Sequence, residues 1–165
     1  MAIIVSDTSA IRALHHLGKL DLIGQLYGRL IVPPAVHDEL RLATRNFVAI
    51  DLVKLGLAAV QTPSRPFVIR VAAFHLDAGE IEAIALALEL PADYLLIDET
   101  RGRAAAKSLG VKHVGVLGVL MEAKRRGFID RVAPLLKRLR LELRFHINPQ
   151  FEKEVLKDIG ELPEP

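Results

Sequence analysis

Asp7 stands one residue beyond the apolar run Ile3-Ile4-Val5, and Thr8 and Ser9 follow it. Further along, Tyr94-Leu95-Leu96-Ile97 runs into Asp98-Glu99-Thr100 with the same order of residue types. Two carboxylates leaving two apolar strands are candidates for chemistry, because ligands of open parallel sheets gather beyond the carboxyl ends of the strands. Glu39, in a helical stretch behind Arg29-Leu30-Ile31-Val32, and Glu80, at the start of an alanine-rich helical pattern, occupy comparable places. Carboxylates gathered in one crevice repel when ionised. A hard cation relieves that repulsion: Mg²⁺ or Mn²⁺ takes one or two carboxylates together with waters and substrate phosphate. Such an ion activates water and stabilises charge at phosphorus. The basic clusters Lys124-Arg125-Arg126 and Lys137-Arg138-Leu139-Arg140 can attract phosphate backbones. An acid cluster beneath a basic rim suits a nuclease.

Each of these residues also has an ordinary structural reading. Asp7 and Asp98 are good helix N-caps, Glu80 complements a helix dipole, and Glu39 is a common kind of exposed helix acid. Asp38, Asp77, Glu82 and Glu99 compete for the same roles, and periodicity does not choose among them. The functional reading therefore rests on the joint pattern. Arg101 and Arg103 open the helix after Asp98, with Lys107 one turn on, and are read either as phosphate contacts or as surface residues. Thr8 and Thr100 are read as caps or phosphate contacts. His15 and His16 are adjacent and cannot form an i, i+4 metal pair, and the other four histidines stand alone. No glycine-rich phosphate signature and no nucleophile elbow occur. With six Phe, two Tyr and no Trp, stacking on bases is poorly supported, so RNA would be held by phosphate contacts and shape.

The elements that must position these residues alternate. Residues 2–5 read as a buried strand, and a helix capped by Asp7, Thr8 or Ser9 runs to Gly18. A short helix over 19–27, a strand over 29–32 and a helix opened by Pro34 follow. Further helices are expected over 46–57, 67–75 and from Gly79-Glu80 to Pro91, with a brief strand at 59–61. A strand over 94–97, a helix over 99–109, a strand over 113–116 and helices over 117–126 and 130–140 come next. Leu141, Leu143 and Phe145 alternate as an edge strand would, without deciding the element. Asn148 caps a helix to about Asp158, and Glu161–Pro165 reads as tail. Strands alternating with helices imply a mainly parallel sheet with helices on both faces, an α/β fold in three layers.

The 165 residues suit a single domain over 1–147, with 148–165 as a C-terminal helix and tail packed on it. With 51% apolar and 25% charged residues the chain is globular. Its net charge of +2 makes the basic signal local instead of global. Absence of Cys excludes disulfides, thiol catalysis and cysteine–zinc sites and suits a reducing cytoplasm. A strand within two residues of the start leaves no place for a signal peptide. No apolar run approaches the roughly 20 residues of a membrane span.

Val5-Ser6-Asp7-Thr8-Ser9, Val32-Pro33-Pro34 with Asp38-Glu39-Leu40, Asp77-Ala78-Gly79-Glu80 with Glu82-Ala83-Ile84-Ala85-Leu86-Ala87, and Leu96-Ile97-Asp98-Glu99 with Arg103, Ala106 and Leu109-Gly110 together resemble the PIN-like domain proteins. Within them the chain is similar to the prokaryotic branch of VapC-type toxin relatives with a Gly-Glu signature. The resemblance covers roughly residues 2–130. It implies an α/β/α fold, Mg²⁺- or Mn²⁺-dependent endoribonuclease activity of toxin–antitoxin type, homodimers, and a small antitoxin partner. It carries Asp7, Glu39, Glu80 and Asp98 over as the metal-holding catalytic acids, and Ser9 as a hydroxyl near the metal water. The third acid, commonly Asp, is here Glu80, and Glu99 is the near substitute for an Asp usual beyond Asp98. A rival reading is a PIN-like module with a weakened site that regulates or binds a partner.

Overall fold

The computed structural model describes residues 2–162. It divides into two compact units, one ending at Val116 and one beginning at Leu117. In the first unit, β1 (Ile3–Ser6) lies between β2 (Arg29–Val32) and β4 (Tyr94–Leu96). β3 (Ala58–Val60) and β5 (His113–Val114) complete the order β3-β2-β1-β4-β5, and every pairing is parallel. Neighbouring residues of a strand point to opposite faces. Ile4 and Val5, and likewise Leu95 and Leu96, are all fully buried, so both faces of the sheet are covered. That is why these strands are apolar without alternation, and it makes the fold a three-layer α/β/α sandwich.

The connections are α1 (Thr8–His16), α2 (Leu22–Tyr27), α3 (Pro34–Leu40), α4 (Arg65–Ala72), α5 (Ala78–Glu89) and α6 (Thr100–Ser108). α1 stops at Gly18, whose φ of +68° lies in the left-handed region that closes helices. Pro34 opens α3 at its first turn, where its missing N–H costs nothing. α5 is apolar nearly all round, and Ala83, Ile84, Ala85 and Leu86 are all fully buried. It packs on β1, β4, α3, α4 and α6. The small alanines let it approach the sheet closely.

One expectation is corrected here. Residues 46–57 form no helix; the chain from 41 to 57 is a set of turns. Thr44 N donates to Phe47 O (2.9 Å), Ile50 N to Leu40 O (2.8 Å), and Leu57 N to Leu52 O (2.9 Å). Asp51 Oδ1 accepts from Lys54 N (3.1 Å), the local competition by which short acidic side chains replace a helix with a turn. Ile50 and Leu52 are buried, while Leu42, Val48, Val53 and Leu55 are exposed. The apolar spacing that mimics a helix therefore serves an irregular loop.

The other unit carries most of α7 (Val116–Arg125) together with α8 (Ala133–Leu143) and α9 (Pro149–Asp158), and it decides the element left open at Leu141. Leu141 and Leu143 belong to α8 and not to an edge strand. The Arg138–Glu142 pair at i, i+4 (3.1 Å) supports the last turn. The helix closes on Arg144 with φ of +53°. Asn148 caps α9, its Oδ1 accepting from Gln150 N (2.9 Å) and Phe151 N (3.1 Å). Glu161, read from sequence as tail, is buried. It accepts from Val132 N and Ala133 N (2.8 Å each) and from Lys124 Nζ (2.9 Å). The rest of the tail reading, 163–165, lies outside the described residues.

Candidate active site

The strand order reverses at β1: the chain runs outward through β2 and β3, then returns to pair β4 on the other side of β1. A crevice opens at such a reversal, beyond the carboxyl ends of the strands. Ser6 pairs with Leu96, and Asp7 N donates to Leu96 O (3.1 Å), so the chain at Asp7 runs beside the end of β4. Asp98 follows two residues beyond Leu96. The two acids that leave these strands therefore sit at the switch point.

Asp7 is 2% exposed. Its Oδ1 accepts from Ala10 N (3.1 Å), capping α1 as the sequence suggests. Burial raises its pKa well above the ordinary carboxylate range, the Ala10 N–H opposes this, and Asp98, Glu80 and Glu99 raise it further. Asp98 accepts at Oδ2 from Val116 N (3.0 Å). Its pKa is raised by burial, against the Val116 N–H and the Arg103 guanidinium, with Glu99 adding to the rise. A Cβ at Gly115 would collide with Asp98 Oδ1 and lie 3.6 Å from Arg103 Nη1, so only glycine there leaves room for this carboxylate. Glu80 is 9% exposed in the first turn of α5. Burial raises its pKa first, Asp77 and Glu99 press in the same direction, and the chain at Asp77 and Arg101 oppose it. Asp77 caps α5, its Oδ1 accepting from Glu80 N (2.8 Å).

Glu39 is placed differently. Thr8 Oγ1 donates to its Oε2 (3.0 Å), and Arg12 Nη2 donates to its backbone carbonyl (3.0 Å). A Cβ on Gly79 would lie 3.2 Å from Glu39 Oε2 and 3.7 Å from Thr8 Oγ1, so α5 begins close against this pair. Asp98, Glu80 and Glu99 thus all bear on Asp7, and Glu99 bears on Asp98 and Glu80 as well, whereas Glu39 is engaged by Thr8 and Arg12. Ser9 is exposed in the first turn of α1. Arg101 is exposed, with Nη2 reaching His75 O (3.4 Å), and Arg103 is exposed beside Asp98. Glu80, Glu99, Asp77, Thr100, Arg101, His75 and Leu76 line a cleft of about 300 Å³.

Sequence reasoning weighed Asp77 only as a competitor and Glu99 as a competitor or a substitute for the usual Asp, and missed Arg12 altogether. Its signal was present: Arg12 lies four residues after Thr8, on the same face of α1. Gly115, one residue past β5, was likewise overlooked.

The donor set is oxygen only, and its mutual repulsion fits a hard divalent cation that takes one or two carboxylates and keeps its waters. It does not fit a cage made wholly of protein ligands: among the described residues no group of three or more acidic or imidazole side chains is arranged to hold an ion.

A family model for the PIN domain matches residues 3–161. The chain belongs to the PIN domain family. No curated protein matches the chain. PIN domains are nuclease-type folds that generally use divalent metals, and the family points to RNA as the ligand class. In this PIN domain, Asp7 and Asp98 follow the adjacent strands β1 and β4 at the switch point. Among the described residues no helix is long and apolar enough to cross a membrane.

Proposed function

We propose that this PIN domain is a Mg²⁺- or Mn²⁺-dependent endoribonuclease of toxin–antitoxin type, working in the cytoplasm as a homodimer with a small antitoxin partner. One observation carries the reading: Asp7 and Asp98 leave adjacent parallel strands at the switch point, each held by a backbone N–H, with Glu99 disfavouring the ionisation of both and Glu80 that of Asp7. Asp7, Asp98 and Glu80 would hold the ion, with Glu39 reaching it from the Thr8 side. When bound, the ion supplies an activated water and offsets charge developing at phosphorus. The protein's own groups do the rest. The Ala10 and Val116 N–H groups each hold one oxygen of these two carboxylates, which would limit the reorganisation needed when the ion binds. Arg103 beside Asp98 and Arg101 at the cleft are placed to draw in a phosphate, and the hydroxyls of Thr8 and Ser9 flank the first turn of α1. With few aromatic side chains in the protein, RNA would be positioned by its backbone. The exposed apolar side chains of the 41–57 loop, Leu42, Val48, Val53 and Leu55, suit a protein partner.

The test is cleavage of single-stranded RNA with Mn²⁺ present, compared among wild type, Asp7→Asn and Asp98→Asn. Both variants should lose on the order of 10³-fold in rate while remaining folded. Full activity in Asp7→Asn would end the assignment. A second reading, a regulatory or partner-binding module with a weakened site, is favoured by the want, among the described residues, of a three-acid ligand group and by the engagement of Glu39. Mn²⁺ titration followed by thermal unfolding separates the two. A nuclease site at 100 Kd of ion gains about 2.7 kcal/mol, and a weakened site shows no saturable gain.

A further inference from the structure

Among the described residues, Arg12 Nε and His37 Nδ1 are buried polar atoms without a hydrogen-bond partner, and Arg12 is the one of the two that reaches an acid of the site. Its side chain is only 13% exposed, and its Nε is buried without a hydrogen-bond partner. A buried guanidinium normally has its donors satisfied and its charge closely paired. Here Nη2 donates to the Glu39 carbonyl (3.0 Å), Nη1 stands 4.0 Å from Glu39 Oε1, and the guanidinium carbon lies 5.2 Å from the centre of the Phe47 ring. Every contact therefore converges on Glu39 or on the loop that follows it. Thr8, one turn earlier on α1, holds the other carboxylate oxygen, Oε2. The Glu39 carboxylate is half exposed (49%), so burial does not fix it; only these two side chains do.

We propose that Arg12 is a positioning residue for Glu39. Its planar fork fixes the end of α3 and, with Thr8, holds the carboxylate in one orientation against α1, the helix that Asp7 caps. The Phe47 face holds the guanidinium flat against this task. The proposal rests on the metal-dependent reading of the site and adds a residue to it. Side chains that orient ligands from behind typically contribute 10- to 100-fold in metal affinity.

Arg12→Lys is the discriminating variant. It retains the positive charge, so the electrostatic field on an incoming cation is unchanged, but one ammonium cannot span both the Glu39 carbonyl and its carboxylate. The Mn²⁺ midpoint, read from thermal unfolding, should weaken roughly tenfold, with little change in the metal-free melting temperature. Phe47→Leu, which leaves both charges in place, should weaken it in the same direction by less. In metal-free protein, the side-chain NMR couplings of Glu39 should change from a single rotamer to averaged values in Arg12→Lys. An unchanged Mn²⁺ midpoint in both variants would overturn the proposal. So would a Glu39 rotamer that stays single without the arginine. If wild-type protein fails to bind Mn²⁺ at all, the nuclease reading falls, while the Glu39 couplings still decide whether Arg12 positions that side chain.

Discussion

Asp7 and Glu161 are both almost withdrawn from water, and they are treated in opposite ways. Glu161, in the unit built from α8, α9 and most of α7, is 7% exposed and fully answered: two backbone N–H groups and the Lys124 ammonium meet its oxygens. Burial by itself would raise its pKa, yet these donors together hold it below the ordinary carboxylate range. Asp7, in the sheet unit, is 2% exposed and receives one backbone N–H, while its charged neighbours are Asp98, Glu80 and Glu99. A carboxylate that serves the fold is surrounded by donors. One left among acids is costly as it stands and becomes favourable only when something positive arrives, which is the physical mark of a functional site.

The contrast can be broken by substitution. Glu161→Ala leaves the Val132 and Ala133 N–H groups without an acceptor and Lys124 with the Ile159 carbonyl but no carboxylate, and should destabilise the protein by about 2–4 kcal/mol. Thermal melts should record this as a fall of about 2–4 °C per kcal/mol. Asp7→Asn keeps a capping side chain and removes an uncompensated charge, so the metal-free melting temperature should hold or rise. A large fall for Asp7→Asn would mean that this acid is structural after all. Next in size, Gly115→Ala should cost about 1–3 kcal/mol by overpacking against Asp98, and RNA cleavage should fall as that carboxylate is displaced. Retained cleavage would detach Asp98 from the site.

The smallest effect sharpens the comparison through pH. Asp7 has a raised folded pKa, so its charged form weakens the metal-free fold as pH rises from the ordinary carboxylate range through the raised value. Glu161 has a lowered folded pKa, so its contribution is present above the ordinary range and is lost as pH falls through the lowered value. Relative to wild type, Asp7→Asn should gain stability and Glu161→Gln should lose it as pH rises, and both differences should vanish in strong acid. Chemical denaturation across the acid range in metal-free buffer measures this, and trends of the same sign would refute it.

Much of this was legible before any coordinates. Apolar runs without alternation marked β1, β2 and β4 because a strand buried on both faces has no polar side. Asp7 and Asn148 were readable as caps because a short oxygen-bearing side chain before a helical pattern has few other uses. The 46–57 stretch misled because its apolar residues have helical spacing, while Asp51 and the contact of Ile50 with Leu40 favour turns. Glu161 misled because the backbone donors that need it lie about thirty residues earlier.

The order of residue types alone thus determined that acids would end strands and open helices, and that the layers would alternate. Only the tertiary structure decided that β1 lies between β2 and β4, which sets Asp7 beside Asp98 and leaves Glu39 to Thr8 and Arg12. The reason is that a side-chain period encodes which face a residue takes on its own element. Which distant element that face meets is decided by strand pairing and packing, and no local pattern records it.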